Sequence, residues 1–295
     1  MSQAAILDLR PYLFSIAYRM LGTVSDAEDV VQEAYLRLAG ATDVEHPKAY
    51  AATVTTRIAI DTLTSARVRR ERYVGQWLPE PLLSDELGPE ERFELDESVS
   101  IAFLVLLETL SPLERAAFVL HDALDYSYPE VAAVLERDEA ACRQLVSRAR
   151  RHLDARRPRF EADRDQRDRL ANAFLAAAAD GDVAALEQLL AEDVRCVGDG
   201  GGKVPAAAKP VVGRTRSARF LAGLVRQADR LDLAARATRV NGQPGLLLTA
   251  GEYVVGVLEL EIADGQIQAV HNVINPDKLR HLGPVTDWDS LRVGR

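Results

Sequence analysis

Apolar residues recur at helical spacing through most of the first 190 positions and then give way to strand-like alternation. Leu7 to Met20 predicts a first helix. Ser25 and Glu28 have capping-box spacing, and Ala27, Val31, Ala34, Tyr35 and Leu38 line one face of the helix that follows. A third is expected after Pro47, from Ala49 to about Arg72. Ser111 with Pro112 and Glu114, and Ser127 with Glu130, repeat the capping device, and Asp138 is placed to cap a last helix. Val131, Ala132 and Leu135, then Cys142, Leu145, Val146, Ala149 and Leu153, are the apolar stripes of two packed helices joined by a tight turn. Farther on, Leu170, Phe174, Leu175 and Ala178 predict a helix closed at Asp180-Gly181, and Val183, Leu186, Leu189 and Leu190 a second. Val194–Val197 is a short strand, and Thr215–Arg230 a further helix. Glu252–Ile262 alternates, with Val254, Leu258, Leu260 and Ile262 on one face. An Asp264-Gly265 turn then leads into Ile267–Ile274, an antiparallel hairpin. Helices first and a meander last indicate an α+β domain behind an all-α half.

The polar faces carry the candidate chemistry. Ser111–Leu153 reads as a helix-turn-helix whose last helix presents Arg143, Gln144, Ser147, Arg148, Arg150 and Arg151, a face that could enter a major groove. Near the N-terminus, Asp26, Asp29, Gln32, Glu33 and Arg37 make an acidic helix face. The next helix is basic and hydroxyl-rich, with Thr53, Thr56, Arg57, Asp61, Thr64 and the cluster Arg67, Arg69, Arg70, Arg72. The acidic face alone is more often solvated surface than a contact. An acidic, proline-containing stretch, Pro79–Glu97, separates the two helical regions.

Composition narrows the function classes. With 295 residues, 47% of them hydrophobic, the chain can bury more than one core. It has no run of about 18 apolar residues and no basic stretch ahead of an apolar one at its start, so neither a membrane span nor a signal peptide is expected, and the location expected is cytoplasmic. Cys142 and Cys196 stand far apart with no Cys/His cluster, which points to reduced thiols and no structural metal. A net charge of −9 argues against coating nucleic acid by bulk attraction, so binding to DNA would have to use the local basic patches.

DAEDVVQEAYLRL (26–38), followed by PKAYAATVTTRIAIDTLTSARVRRERY (47–73), resembles region 2 of sigma-70-family initiation factors. SPLERAAFVL (111–120) and SYPEVAAVLERDEAACRQLVSRARRHL (127–153) resemble region 4. Two such regions joined by a short linker are similar to the extracytoplasmic-function class. The resemblance implies a factor that binds core RNA polymerase and brings it to promoter DNA. It implies that Asp26, Asp29, Gln32 and Glu33 dock on the β′ clamp helices and that region 4 meets the β flap. Thr56, Arg57, Arg67, Arg69 and Arg70 would hold the melted −10 element, with Tyr50 and Tyr73 as stacking faces. The family often has an asparagine near Thr56 and an arginine near Thr64, so the −10 preference stays open. In the −35 duplex Arg143, Gln144, Ser147 and Arg148 would reach base edges and Arg150 and Arg151 phosphates.

ANAFLAAAADGDVAALEQLLAEDV (171–194) and the terminal hairpin resemble the SnoaL-like polyketide-cyclase domain, which implies a cone with a bent sheet wrapped around helices over a pocket. WLPEPL (77–82), DGGGK (199–203) and NPDKL (275–279) are similar to signatures of the sigma-factor group that carries this domain as a fused extension. That likeness implies regulation in cis. It implies that the cone contacts the linker at Trp77, Leu78 and Pro79 through the loop Asp199, Gly200, Gly201, Gly202 and Lys203 and the end Asn275, Pro276, Asp277, Lys278 and Leu279, and so fixes the spacing of regions 2 and 4. GDGGGK is not a Walker loop, because Val197 and Val204 occupy two of its required positions. No catalytic set, cofactor or metal is expected, and the chain is not expected to be an enzyme.

The expected division is 1–75 region 2, 76–96 linker, 97–157 region 4, 158–168 second linker, 169–285 SnoaL-like regulatory domain and 286–295 tail. Two alternatives remain at this point. One is a helix-turn-helix repressor with a ligand-binding domain. The other is a cyclase-like enzyme using His271 and Asp199, His271 sharing a strand face with Ile267, Ala269 and Val273 that would point into the cone, although a lone histidine there is more often a packed, hydrogen-bonded residue. Whether the cone takes a small molecule is not decided by the sequence.

Overall fold

A computed structural model describes residues 7–41, 44–70, 72–83, 99–154, 164–286 and 288; the side chains of 67–69 and 154 fall outside that description. The chain forms two compact units, Met1–Arg72 with Leu87–Arg157, and Tyr73–Glu86 with Pro158–Arg295. Most of the acidic stretch between residues 84 and 98 lies outside the described residues.

The first unit is helical: α1 Arg10–Leu21, α2 Val24–Ala39, α3 Pro47–Arg70, α4 Ile101–Leu107, α5 Pro112–Phe118, a π-helical turn at Val119–Ala123, α6 Tyr128–Leu135 and α7 Glu139–Asp154. Leu13, Ile16, Met20, Val31, Leu38, Ala59 and Leu63 bury the apolar stripes of the first three. α1 closes at Gly22 in left-handed backbone (φ 69°), where a Cβ is penalised. The cap of α2 differs from the one expected. Its N-cap is Thr23, whose hydroxyl donates to Asp26 Oδ2 at 2.7 Å, while Glu28 accepts from Arg10 Nη2 at 2.6 Å. A tie to α1 thus takes the carboxylate that spacing alone assigned to Ser25. The capping boxes at Ser111/Glu114 and Ser127/Glu130 form as expected. Asp138 Oδ1 accepts from Ala141 N at 2.7 Å at the start of α7. Val131, Cys142, Val146 and Ala149 are buried where α6 meets α7, completing the helix-turn-helix.

The second unit runs α8 Arg164–Ala179, α9 Val183–Leu189, β1 Leu190–Asp199, β2 Val211–Val212, α10 Arg214–Arg230, β3 Ala234–Val240, β4 Gln243–Ala250, β5 Tyr253–Ala263 and β6 Gln266–Val273, then short 3₁₀ turns at Pro276–Lys278 and Arg280–Leu282. The sheet order is β2-β1-β6-β5-β4-β3. Only β1 and β6 pair in parallel; the other neighbours are antiparallel. Register shifts at Leu248/Thr249 and Glu261/Ile262 add twist and bend the sheet. Phe174, Leu186, Val194, Cys196, Leu221, Leu258, Leu260 and Val270 form the core between helices and sheet. The β5–β6 turn has Asp264 at φ 51° and Gly265 at φ 70°, the primed geometry that an Asp-Gly pair allows. β1 is longer than the strand expected at Val194–Val197. β3 escapes the sequence pattern because Ala234–Ala237 on the edge strand is exposed and carries no apolar alternation.

Candidate functional site

Asp199 closes β1 and is fully buried. The glycines after it make room for its neighbours. A Cβ on Gly200 would sit 2.1 Å from Val204 O, and one on Gly201 (φ 60°) 2.2 Å from the Asn275 amide. The Asp199 carboxylate accepts from Gly201 N at 3.0 Å, Leu78 N at 2.8 Å, Lys278 Nζ at 2.7 Å and the Tyr73 hydroxyl. Lys278, itself buried, also donates to Leu78 O and lies 4.4 Å from the Trp77 ring centre and 4.7 Å from that of Tyr73. Asn275 Nδ2 donates to Tyr73 Oη at 2.7 Å, and its Oδ1 accepts from Asp277 N at 3.1 Å, starting the 3₁₀ turn that presents Lys278. Lys203 pairs with Asp277 at 2.5 Å. Burial, reinforced by the Asp199 carboxylate, pushes the Tyr73 phenol far above its usual range and keeps it a donor.

The rest of the segment is tied along its backbone. Asn241 accepts from Leu82 N at 2.9 Å through its side chain and donates to Leu82 O at 2.8 Å through its main chain. Leu83 bridges to Val240, and His281 Nε2 lies 2.7 Å from Pro81 O. Leu78, Pro79, Leu82 and Leu83 are buried, as is Leu279. The three motifs therefore converge on one buried ion pair, and Tyr73–Leu83 lies in that site. Sequence reasoning missed Tyr73, Asn241 and His281 as members. Only Asn241 gave a local signal, as the Asn-Gly pair of a tight turn (φ 52° and 77°).

A cavity of about 170 Å³ opens on the helix side of the sheet, lined by Cys196, Phe220, Leu224, Leu258, Val270 and Asn272 among others. His271 does not line it, contrary to the expectation from its strand face. The register shift at Glu261/Ile262 breaks the alternation, so Ile267 reaches the core while His271 lies opposite Glu259 and Val197 on the other sheet face. Its Nδ1 is 2.7 Å from Glu259 Oε2, and both are buried. Burial opposes the imidazolium, but the Glu259 bond and charge, with Glu261 behind them, outweigh it and raise the His271 pKa. A raised histidine contributes stability that is complete below its ordinary value near 6.5 and is lost as pH rises through the folded value. Calorimetry of the full chain between pH 6 and 9 should show the second unit melting earlier at high pH. His271→Gln should flatten that dependence, and an unchanged slope would refute the assignment.

In the first unit the acidic face of α2 stands open. Asp29 and Gln32 are exposed, and Asp26 and Glu33 are half-buried, Glu33 accepting from Arg37 at 3.0 Å. On α3 the predicted residues divide. Thr56 is fully buried, and its hydroxyl has no partner among the described residues. Arg57 donates to Val134 O at 3.1 Å and pairs with Glu136 at 3.0 Å. Arg70 reaches both Glu108 and Leu21 O. The side chains of Arg67 and Arg69 lie outside the described residues, and Tyr50 is exposed. On α7, Gln144 and Ser147 are exposed. Arg143 pairs with Glu139 and lies 4.3 Å from the Tyr128 ring centre. Arg148 is tied to Glu114 at 2.9 Å, Arg150 to Asp122 at 2.5 Å, and Arg151 Nε donates to Ser147 O at 3.4 Å. Three arginines of the basic face are thus held by neighbouring carboxylates, and the face remains solvent-facing.

Residues 5–69 match the family described as Sigma-70 region 2, and residues 100–153 match Sigma-70, region 4. Over 282 residues the chain is 40% identical to the ECF RNA polymerase sigma factor SigJ of Mycobacterium tuberculosis (strain ATCC 25618 / H37Rv), covering 92% of this chain and 90% of that protein. It is 32% identical over 274 residues to the probable ECF RNA polymerase sigma factor SigI of Mycobacterium tuberculosis (strain CDC 1551 / Oshkosh), covering 92% of each. The crystal structure of Mycobacterium tuberculosis extracytoplasmic function sigma factor SigJ aligns with a TM-score of 0.78 at 35% identity, over 95% of this chain and 98% of that one.

Proposed function

This chain belongs to the extracytoplasmic-function class of the sigma-70 family, a non-enzymatic initiation factor that binds core RNA polymerase and directs it to promoters, and from that premise we propose that its SnoaL-like C-terminal unit modulates initiation in cis by holding the Tyr73–Leu83 segment. The observation that carries this reading is the Asp199–Lys278 pair closed on both main-chain groups of Leu78. That segment connects region 2 to region 4, so whatever grips it limits how far the two regions can separate on a promoter. A tether of this kind raises effective concentration to about the millimolar range, so modest contacts suffice.

In the same reading, Asp26, Asp29, Gln32 and Glu33 meet the β′ clamp and region 4 meets the β flap. Arg57, Arg67, Arg69 and Arg70 hold the −10 strand once Arg57 leaves the carbonyl of Val134. Gln144, Ser147, Arg143 and Arg148 read the −35 element, Arg150 and Arg151 track phosphates, and the protein works in the cytoplasm. A small-molecule effector would find a cavity of about 170 Å³ with Asn272 Oδ1 unpartnered among the described residues. An engineered apolar cavity of about 150 Å³ takes benzene.

Run-off transcription with core polymerase tests cis modulation, comparing the full chain with versions ending after Arg159 and after Ile274. Promoter-specific transcripts should appear, with yields that differ between versions. The two truncations need not agree in sign, since the longer one keeps Asp199 and loses Lys278. Equal yields from all three would end the proposal, and no transcript from any across a randomised promoter library would return the repressor reading.

A further inference from the structure

We propose that the solvent side of α10 is a further DNA-contacting surface, on which Arg216, Arg219, Arg226 and Arg230 bind the phosphate backbone of the duplex adjoining the −35 element. The inference rests on family membership and on α7 engaging the −35 element, and it adds a contact that neither sigma region supplies.

The helix is rotationally fixed by its other face. Ser217, Ala218, Leu221 and Ala222 are buried, the apolar ones in the core of the second unit. The four arginines fall at spacings of three, seven and four residues on the opposite stripe, and all are exposed. Gly223 occupies the remaining position of that stripe, and a Cβ there would meet only the guanidinium of Arg226, at 3.9 Å.

The row lacks counter-charges. Among the described residues none of these four arginines makes an ion pair; Arg230 donates only to its own helix, at Arg226 O. Several exposed arginines elsewhere are matched, as Arg143 with Glu139, Arg150 with Asp122 and Arg280 with Asp277. The row therefore sets four positive charges, unpaired among the described residues, along one helix face of a chain whose acidic residues outnumber its basic ones, 45 to 36. Like charges one turn apart repel, so the row is stabilised only when an external anion arrives.

Charge and shape favour a phosphate backbone. Guanidinium forks match phosphate oxygens in a planar, bidentate way that ammonium groups do not. From Arg216 to Arg230 the stripe runs about 21 Å at 1.5 Å per residue. That length spans about six nucleotides of one strand at 3.4 Å each. Such contacts position the protein without reading sequence. The placement follows from chain order. α8 begins ten residues after α7 ends, a reach of at most ~35 Å, so a protein seated at −35 keeps α10's unit beside that duplex.

The test uses holoenzyme reconstituted from core polymerase and the full chain. Binding is measured against salt on two promoter fragments, one with about 20 base pairs of duplex upstream of −35 and one ending there. The variants are R216Q/R219Q, R226Q/R230Q, all four together, and the corresponding four Arg→Lys changes. Neutralising about four contacts should flatten log K against log salt by about 3.6 and weaken binding by about a thousandfold or more at 0.1 M salt. The effect should appear on the long fragment only and be partial in each pair; lysine should restore the salt slope, which counts charges, but not the full affinity of the guanidinium forks. An unchanged slope on the long fragment overturns the proposal. Equal loss on both fragments also overturns it, placing the row on an acidic surface of the polymerase instead. Loss of −35 dependence in the unsubstituted holoenzyme would instead remove the premise about α7.

Discussion

Lys278→Met is expected to destabilise the second unit by about 3–5 kcal/mol, the usual loss when one partner of a buried ion pair is removed. The side chain of Asp199 is 0% exposed and that of Lys278 6%, so the carboxylate cannot recruit water in place of the ammonium. Three donors would remain on it, from Tyr73, Leu78 and Gly201, but only hydrogen bonds and no opposite charge. Asp199→Asn leaves the reverse defect, a buried cation facing Leu78 O and two aromatic rings. The double variant D199N/K278M buries no charge at this point and should recover most of the loss, giving a coupling of about 2 kcal/mol or more. Denaturant titration followed by tryptophan emission reports directly, since Trp77 lies against Lys278. Two single variants within about 1 kcal/mol of the parent, or a double variant equal to their sum, would show that the pair does not hold the segment. Promoter yield of the full chain should shift with either single change, while the version ending after Arg159, which lacks both residues, sets the level approached.

What the sequence revealed here was local. Capping boxes at Ser111 and Ser127, the Asp138 cap, the Asp264-Gly265 turn and the stripes of α6 and α7 are written within a few residues, and each forms as read. The three motifs were visible as strings, but no spacing rule says that Leu78, Asp199 and Lys278 meet, because their contacts span 79 to 200 positions. Tyr73 looked like a stacking face for bases and is a donor to Asp199 instead. His271 was misplaced because alternation was counted through a bulge, which resets which residues face the core. Arg57 and Arg70 read as free promoter contacts. In the structure both reach main-chain carbonyls and acids of other helices, partners that periodicity cannot foresee.

Those partners set the second large effect. Glu108, at the end of α4, accepts from both Arg70 and Arg115, joining the tip of α3 to α5. The Arg115 side chain is 1% exposed; its Nε donates to Arg19 O at 3.0 Å, and its Nη2 has no partner among the described residues. Its charge therefore depends on Glu108. Glu108→Gln should lower the stability of the helical unit at neutral pH by about 3–5 kcal/mol, because it strands a buried guanidinium. The same pair predicts an acid limb. Burial alone would raise the Glu108 pKa, but Arg115 and then Arg70 outweigh it and hold the carboxyl below its usual range. A depressed carboxyl contributes stability that is complete above its ordinary value near 4.5 and fades as pH falls through the folded value. Denaturation midpoints of the full chain should therefore drop steeply between about pH 5 and 3, while E108Q starts lower and lacks that part of the slope. Parallel curves for the two proteins would assign the acid limb to other carboxylates. If E108Q also raises promoter yield while melting earlier, Arg70 is withheld from DNA by this clasp; if yield falls with stability, the clasp serves the fold alone.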